Sequence, residues 1–205
     1  MELSMWLALV GICLMGAMSP GPSLAVVLKH CLASGRTAGI ITALSHGFGV
    51  GVYAFIAVLG LGALIHQWPM LYTALIYGGA AYLVYLAINS WRSSAGKLTI
   101  ETTRGSYKKA ATDGFAIAFL NPKLAIFFIA LFSQFIPAEQ VSTVQGAVMV
   151  ATPTLIDASW YVIVALLCSH GRFLPVLERN QVLINRLLSV AFMGLALMVV
   201  ARQWL

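Results

Sequence analysis

Apolar residues run through this sequence in blocks of about 20, the length that crosses a bilayer core as a helix, with polar residues gathered between the blocks. Six blocks fall at approximately Leu3–Leu28, Ala38–Ile65, Met70–Trp91, Thr112–Ile136, Thr143–Cys168 and Leu183–Trp204. The connections are short except Arg92–Ala111, which is basic and rich in Ser, Thr and Gly. That segment divides one transmembrane domain, 1–205, into a first half (about 1–91) and a second half (about 112–205). Each half has three spans. Three is odd, so the halves must cross the membrane in opposite senses. The expected architecture is all-α integral membrane, with six helices in two inverted repeats.

Composition strengthens this reading. Of 205 residues, 60% are hydrophobic and 9% charged, and the mean hydropathy is +0.92. Soluble chains are roughly a quarter charged, and so few polar residues cannot cover a soluble domain. A soluble enzyme, a nucleic-acid binder and a disordered tail are excluded as starting readings. Cys13, Cys31 and Cys168 form no close pair and no metal-ligand spacing, so neither a disulfide framework nor a metal or other cofactor is expected. The start Met1-Glu2 lacks the basic residues of a cleaved signal peptide, and the first block reads as a retained span.

The net charge of +6 acquires meaning from its distribution. Lys29 and Arg36 separate spans one and two. Arg92, Lys97, Arg104, Lys108 and Lys109 separate three and four, and Arg172, Arg179 and Arg186 lie between five and six. Ten of the twelve cations therefore share one side, against Arg202 on the other and Lys123 within a span. The positive-inside tendency makes that side cytoplasmic and both termini periplasmic, in a bacterial inner membrane. Contact of these basic loops with anionic lipid is compatible with this.

Spans one and four are interrupted. The first contains Met18-Ser19-Pro20-Gly21-Pro22-Ser23, the fourth Leu120-Asn121-Pro122-Lys123. In each, a capping residue type, Ser19 or Asn121, precedes a proline, the pattern of a helix start. The expectation is a helix that stops and restarts inside the membrane, because proline lacks an N–H and clashes with the preceding turn. Irregular backbone survives at that depth only beside protein or a water-filled cavity. An ordinary proline kink is the alternative for either break alone. Counted from the basic side, Pro20, Pro122, His46 and Asp157 lie 8, 10, 8 and 11 residues deep. At 1.5 Å per residue these are roughly 12–17 Å from one face, near the midplane. Asp157 and Lys123 need a partner or water there, and a structural Asp157–Lys123 pair is one solution. His46 alone also reads as a helix-contact histidine.

The restarted helices offer N–H donors and partial positive charge near Pro20 and Pro122, joined by the charge of Lys123, an arrangement suited to a carboxylate. Interrupted first helices in inverted halves point to a transporter's substrate site. Elsewhere, Gly35, Gly39, Ala43, Gly47 and Gly51 recur every four residues and predict a smooth packing ridge. Gly78-Gly79-Ala80-Ala81 and Ala191/Gly194 are expected as further small-residue contacts, and Trp68, Trp91 and Trp204 as interfacial anchors.

With these motifs in view, the chain resembles the amino-acid exporters of the lysine exporter and homoserine/threonine-resistance type (LysE/RhtB) over nearly its whole length. The resemblance rests on Ser19–Ser23 (SPGPS), Gly78–Arg92 (GGAAYLVYLAINSWR) and Asn121–Phe135 (NPKLAIFFIALFSQF). The chain departs from the pattern at Ala87, where a glycine is usual, and at Ser133, where proline is frequent. His46 is a variable position. The resemblance implies an inner-membrane secondary exporter of amino acids or related small amphoteric molecules, driven by the proton gradient. Its expected partners are that solute, protons and the bilayer, with homo-oligomerisation left open.

The residues expected at the substrate site are Ser19, Pro20, Gly21, Pro22, Asn121, Pro122 and Lys123. Those expected to handle the proton are Asp157 and, as a competitor, His46. No catalytic residue is expected. A passive channel and a membrane thiol-redox carrier are the competing classes. Redox chemistry wants a reactive cysteine near each break, and span four has none. A channel wants a repeated polar filter, and one His, one Asp and one Lys do not supply it.

Overall fold

A computed structural model of the chain describes residues 2–93, 105–133, 135–136, 142–168 and 173–201. Most of the Arg92–Ala111 connection, Arg172, Arg202 and Trp204 thus lie outside the described residues. Those described form eight helices: α1 (Leu3–Met18), α2 (Pro22–Ser34), α3 (Arg36–Gln67), α4 (Pro69–Arg92), α5 (Tyr107–Phe119), α6 (Pro122–Phe132), α7 (Thr143–Leu167) and α8 (Phe173–Ala201). Helices α3, α4, α7 and α8 are each long and apolar enough to cross a bilayer. The pairs α1/α2 and α5/α6 are bent by 59° and 52° at their breaks and raise the number to six if each pair is one span.

Sequence and structure differ at several boundaries. Helix α2 runs to Ser34 rather than Leu28, until Gly35 adopts φ +89°, a left-handed turn that only glycine takes cheaply. Helix α8 begins at Phe173, ten residues before the apolar block. Hydropathy hides those turns because Glu178, Arg179, Asn180 and Gln181 are polar, yet none of them stops a helix, and Pro175 sits in the first turn, where it is tolerated.

Helix directions follow from which residues touch. A Cβ on Gly39, Gly47 or Gly51 would come within 3.0 Å of Ala165, 2.7 Å of Ala158 or 2.7 Å of Thr154. The partner numbers fall as the glycine numbers rise, so α3 and α7 are antiparallel, in backbone-close contact along the predicted ridge. Ser45 Oγ and Tyr53 hydroxyl donate to the carbonyls of Ala111 and Phe119, both 2.6 Å, which makes α3 and α5 parallel. Ser189 Oγ donates to the Ala87 carbonyl and Arg186 lies over Trp91, so α4 and α8 are antiparallel. In these directions, the ends of α2 and α4 and the starts of α3, α5 and α8 gather together. That end carries Lys29, Arg36, Arg92, Lys108, Lys109, Arg179 and Arg186 and is called the basic end below.

Two apolar clusters hold the bundle. The larger joins Leu9, Ile76, Leu83, Phe128, Leu131 and Leu195 from α1, α4, α6 and α8 around the second half of α3; the smaller joins α2, the start of α3 and α7 through Leu28, Ala43 and Val164. Gly79 packs against Ala130 of α6. The other small-residue expectations are only partly met: among the described residues nothing lies within 4 Å of a Cβ placed on Gly78 or Gly194, so no described helix is seated on either. The bundle's outside is apolar as well, with Phe48, Leu59, Leu155, Leu187 and Leu197 each more than half exposed. Water is a poor solvent for such a surface, and lipid is a good one.

Candidate functional site

Both breaks border one space within the bundle. Helix α1 closes at Met18, where the Ser19 N–H donates to the Gly16 carbonyl, and α2 opens with Gly21 as N-cap and Pro22 at its first position. Ser19 therefore ends one helix instead of starting the next, and Pro20 belongs to the linker. The reason is local: Ser19-Pro20 and Gly21-Pro22 both read as cap-plus-proline, and Gly21 in an extended conformation sets the start. At the other break the pattern holds as read. Asn121 is the N-cap of α6, its Oδ1 accepts the Lys123 N–H at 3.0 Å, and Pro122 follows.

The space between the breaks is a cavity of about 60 Å³, several times what a single water needs. Ser19, Gly21, Pro22, Asn121, Lys123, His46 and Asp157 all line it; of the nine residues singled out in the sequence, Pro20 and Pro122 do not. The remaining wall is mostly apolar, with Phe127, Phe128 and Phe192, alongside Ser23 and Tyr161. The first-turn N–H groups of α2, at Ser23 and Leu24, are donors that helix geometry leaves without an intrahelical acceptor.

The charged residues pair differently from the Asp157–Lys123 bond considered above. His46 Nδ1 lies 2.6 Å from Asp157 Oδ2, joining α3 a third of the way along to α7 just past its middle, with the histidine 1% and the Asp157 side chain 9% exposed. The two candidates for the proton are thus one bonded unit. His46 Nε2 is buried with no partner among the described residues, and Tyr161, hydrogen-bonded to Ser23, presents its ring edge-on to the imidazole at 5.0 Å. Lys123 Nζ instead donates to Ser19 Oγ at 3.1 Å and sits 5.6 Å from the centre of the Phe192 ring. That one bond fastens the second break to the first. Chemically, the cavity offers a cation and helix N–H donors to an anion, and a carboxylate–imidazole unit to a cation or a proton.

Pro153 was not singled out from the sequence. It lies inside α7, four residues before Asp157, and lines the cavity. Its missing N–H leaves the Met149 carbonyl without its helical donor. The residue was legible as a proline in a third span. His30 and Asp113, a second histidine–carboxylate pair, were also missed because each falls at a span end, where polar residues draw no notice.

Residues 14–203 match the family model of the LysE type translocators. The chain belongs to that family. Among proteins similar to this LysE type translocator, an "uncharacterized membrane protein" of Vibrio cholerae is 29% identical over 197 residues, covering 95% of each chain. The membrane protein YrhP of Bacillus subtilis is 25% identical, covering 92% of this chain and 94% of its own. The homoserine/homoserine lactone efflux protein of Salmonella typhimurium is 27% identical over 162 residues, 77% of either chain. No solved structure matches. Family and apolar helices together make this a membrane transport protein for small solutes.

Proposed function

We propose that this translocator is a secondary exporter of amino acids or related amphoteric molecules, exchanging its solute for protons across a bacterial inner membrane. Its six spans would form two inverted repeats, with the basic end cytoplasmic and both termini periplasmic. One observation carries the proposal: a single cavity joins both helix breaks, a lysine and a histidine–carboxylate pair. An amphoteric solute has one group for each part. Its carboxylate meets Lys123 and the N-terminal donors of α2 at Ser23 and Leu24, and its ammonium meets Asp157. A proton taken up by the His46–Asp157 unit cancels its negative charge and releases the ammonium. That gives the two ions one shared binding place and hence an exchange. In the inverted repeat, α1 and α5 flank α7 and α3 respectively, and α3 and α7 face each other as two-fold mates would.

The test is export in vesicles energised by a pH gradient, with the solute found by screening which amino acids or analogues become less toxic on expression. Asp157→Asn keeps the shape but removes the ionisable carboxyl, so uphill export should vanish while solute exchange persists. His46→Gln should shift the pH dependence with a smaller loss. If Asp157→Asn still concentrates solute against its gradient, Asp157 is structural and the proton role passes to His46. Flux that no pH gradient drives uphill would mark a channel.

A further inference from the structure

The exchange just described uses one of two histidine–carboxylate pairs. The other joins α2 to α5 nearer the basic end, with His30 Nε2 2.9 Å from Asp113 Oδ2. His30 is 1% exposed and the Asp113 side chain 31%. One turn further on, Ser34 Oγ donates to the Gly105 carbonyl at 3.2 Å and accepts the Gly105 N–H at 3.0 Å. Unlike the glycine contacts of α3, these are polar ties placed at a partly wet edge.

Asp113 also lines a cleft of about 470 Å³ between the same two helices. Lys29, Val26 and Pro22 line one wall, and Asp113, Ile117 and Asn121 the other. The cleft therefore runs from the basic end inward to both breaks. Pro22 and Asn121 also line the central cavity, so the cleft ends where the cavity begins. A solute passing from one to the other needs α2 and α5 to part about the breaks. The His30–Asp113 bond, halfway along α5 and two-thirds of the way along α2, and the Ser34–Gly105 bonds beyond it both oppose that motion.

We infer that the His30–Asp113 bond is the latch on the basic-face entrance to the cavity. Made, it holds α2 against α5; broken, it lets the cleft and the cavity become continuous. The bond suits the task because its carboxylate side is partly exposed, so water takes the place of the imidazole at Asp113 when it opens. The inference rests on the central cavity being the solute site. His30 and Asp113 are positioning residues that act through the two helices.

The test is sidedness of access. Ala17 lines the cavity and belongs to neither tie. In the full-length chain with Cys13, Cys31 and Cys168 replaced by alanine, Ala17→Cys reports on the cavity through its rate of labelling by a membrane-impermeant methanethiosulfonate reagent. Inside-out and right-side-out vesicles present the two faces. Asp113→Ala and His30→Gln should each raise labelling from the basic face by roughly two- to tenfold, the span that the net worth of one hydrogen bond gives. Labelling from the other face should not rise, and Asp113→Glu should restore the original rate. Unchanged rates, or an equal rise from both faces, overturn the latch, since a structural staple only loosens the fold. Protection of the reporter by a panel of L-amino acids that includes homoserine reads the other premise. Absence of protection in the parent chain sinks the cavity as solute site, whatever the latch variants do.

Discussion

Lys123 contributes to the cavity in two ways, as the cation that faces it and as the link between the breaks through Ser19. Charge-assisted hydrogen bonds contribute about 1.5–3 kcal/mol, or roughly 10- to 100-fold in affinity. Lys123→Met should raise the KM for export by that factor and leave the amount of protein in the membrane unchanged. Lys123→Arg keeps the charge and should recover part of the loss. Transport rates against solute concentration, normalised to protein amount, check both. At this scale the sequence was informative about identity and silent about partnership. The rarity of Asp157, Lys123 and His46 inside apolar blocks marked them, because an ionisable group there is costly. Which ones bond depends on helix azimuth, and no spacing along the chain records that. The pairing of His46 with Asp157 therefore emerged only from the fold.

Among the elements, α3 is the one whose contacts were most plainly written in the chain. Gly39, Gly47 and Gly51 are absent side chains that let α7 approach to backbone distance. Gly114 does the same for α5, with its Cα against the Thr42 carbonyl. Gly47→Leu forces side-chain bulk into Ala158 and should lower stability by about 1–3 kcal/mol, the usual range for overpacking. Gly60, with nothing within 4 Å of its Cβ position, should accept alanine with stability unchanged or slightly improved. Melting temperatures of the purified protein in one detergent discriminate the two. The breaks were legible to different degrees. Asn121 is worth about 1 kcal/mol as a cap, so Asn121→Ala should destabilise the start of α6 and depress export. At the first break Ser19 and Pro20 drew attention that the backbone assigns to Gly21 and Pro22, because two overlapping proline signals cannot be ranked without φ angles. Pro20→Ala and Pro22→Ala compared in the export assay should show the larger loss at Pro22.

For the whole molecule, the charge distribution gives a direct test of orientation. Ser106 caps α5 at the basic end and is exposed. In cells expressing Ser106→Cys in a background without other cysteines, an impermeant reagent added outside should leave the protein unlabelled. Permeabilisation should expose the site. A reporter fused after Gln203 should be active in the periplasm. Labelling of Ser106→Cys in intact cells would reverse the orientation.

The His46–Asp157 unit lies well inside both helices that bear it, and its position has an electrical meaning. A proton reaching it from outside and leaving inward crosses the whole membrane field in two stages, whereas a zwitterion moving outward carries no net charge. One such exchange moves one positive charge inward. An inside-negative potential then adds about 2.3 kcal/mol per 100 mV to whatever the pH difference supplies, close to a 50-fold solute gradient. Export should therefore persist in vesicles without a pH gradient when valinomycin and a higher internal potassium concentration set an inside-negative potential. It should stop when potassium is made equal on both sides, so that valinomycin holds the potential at zero. A basic solute leaving as a cation would instead move electroneutrally against one proton, and the voltage would have no hold on it.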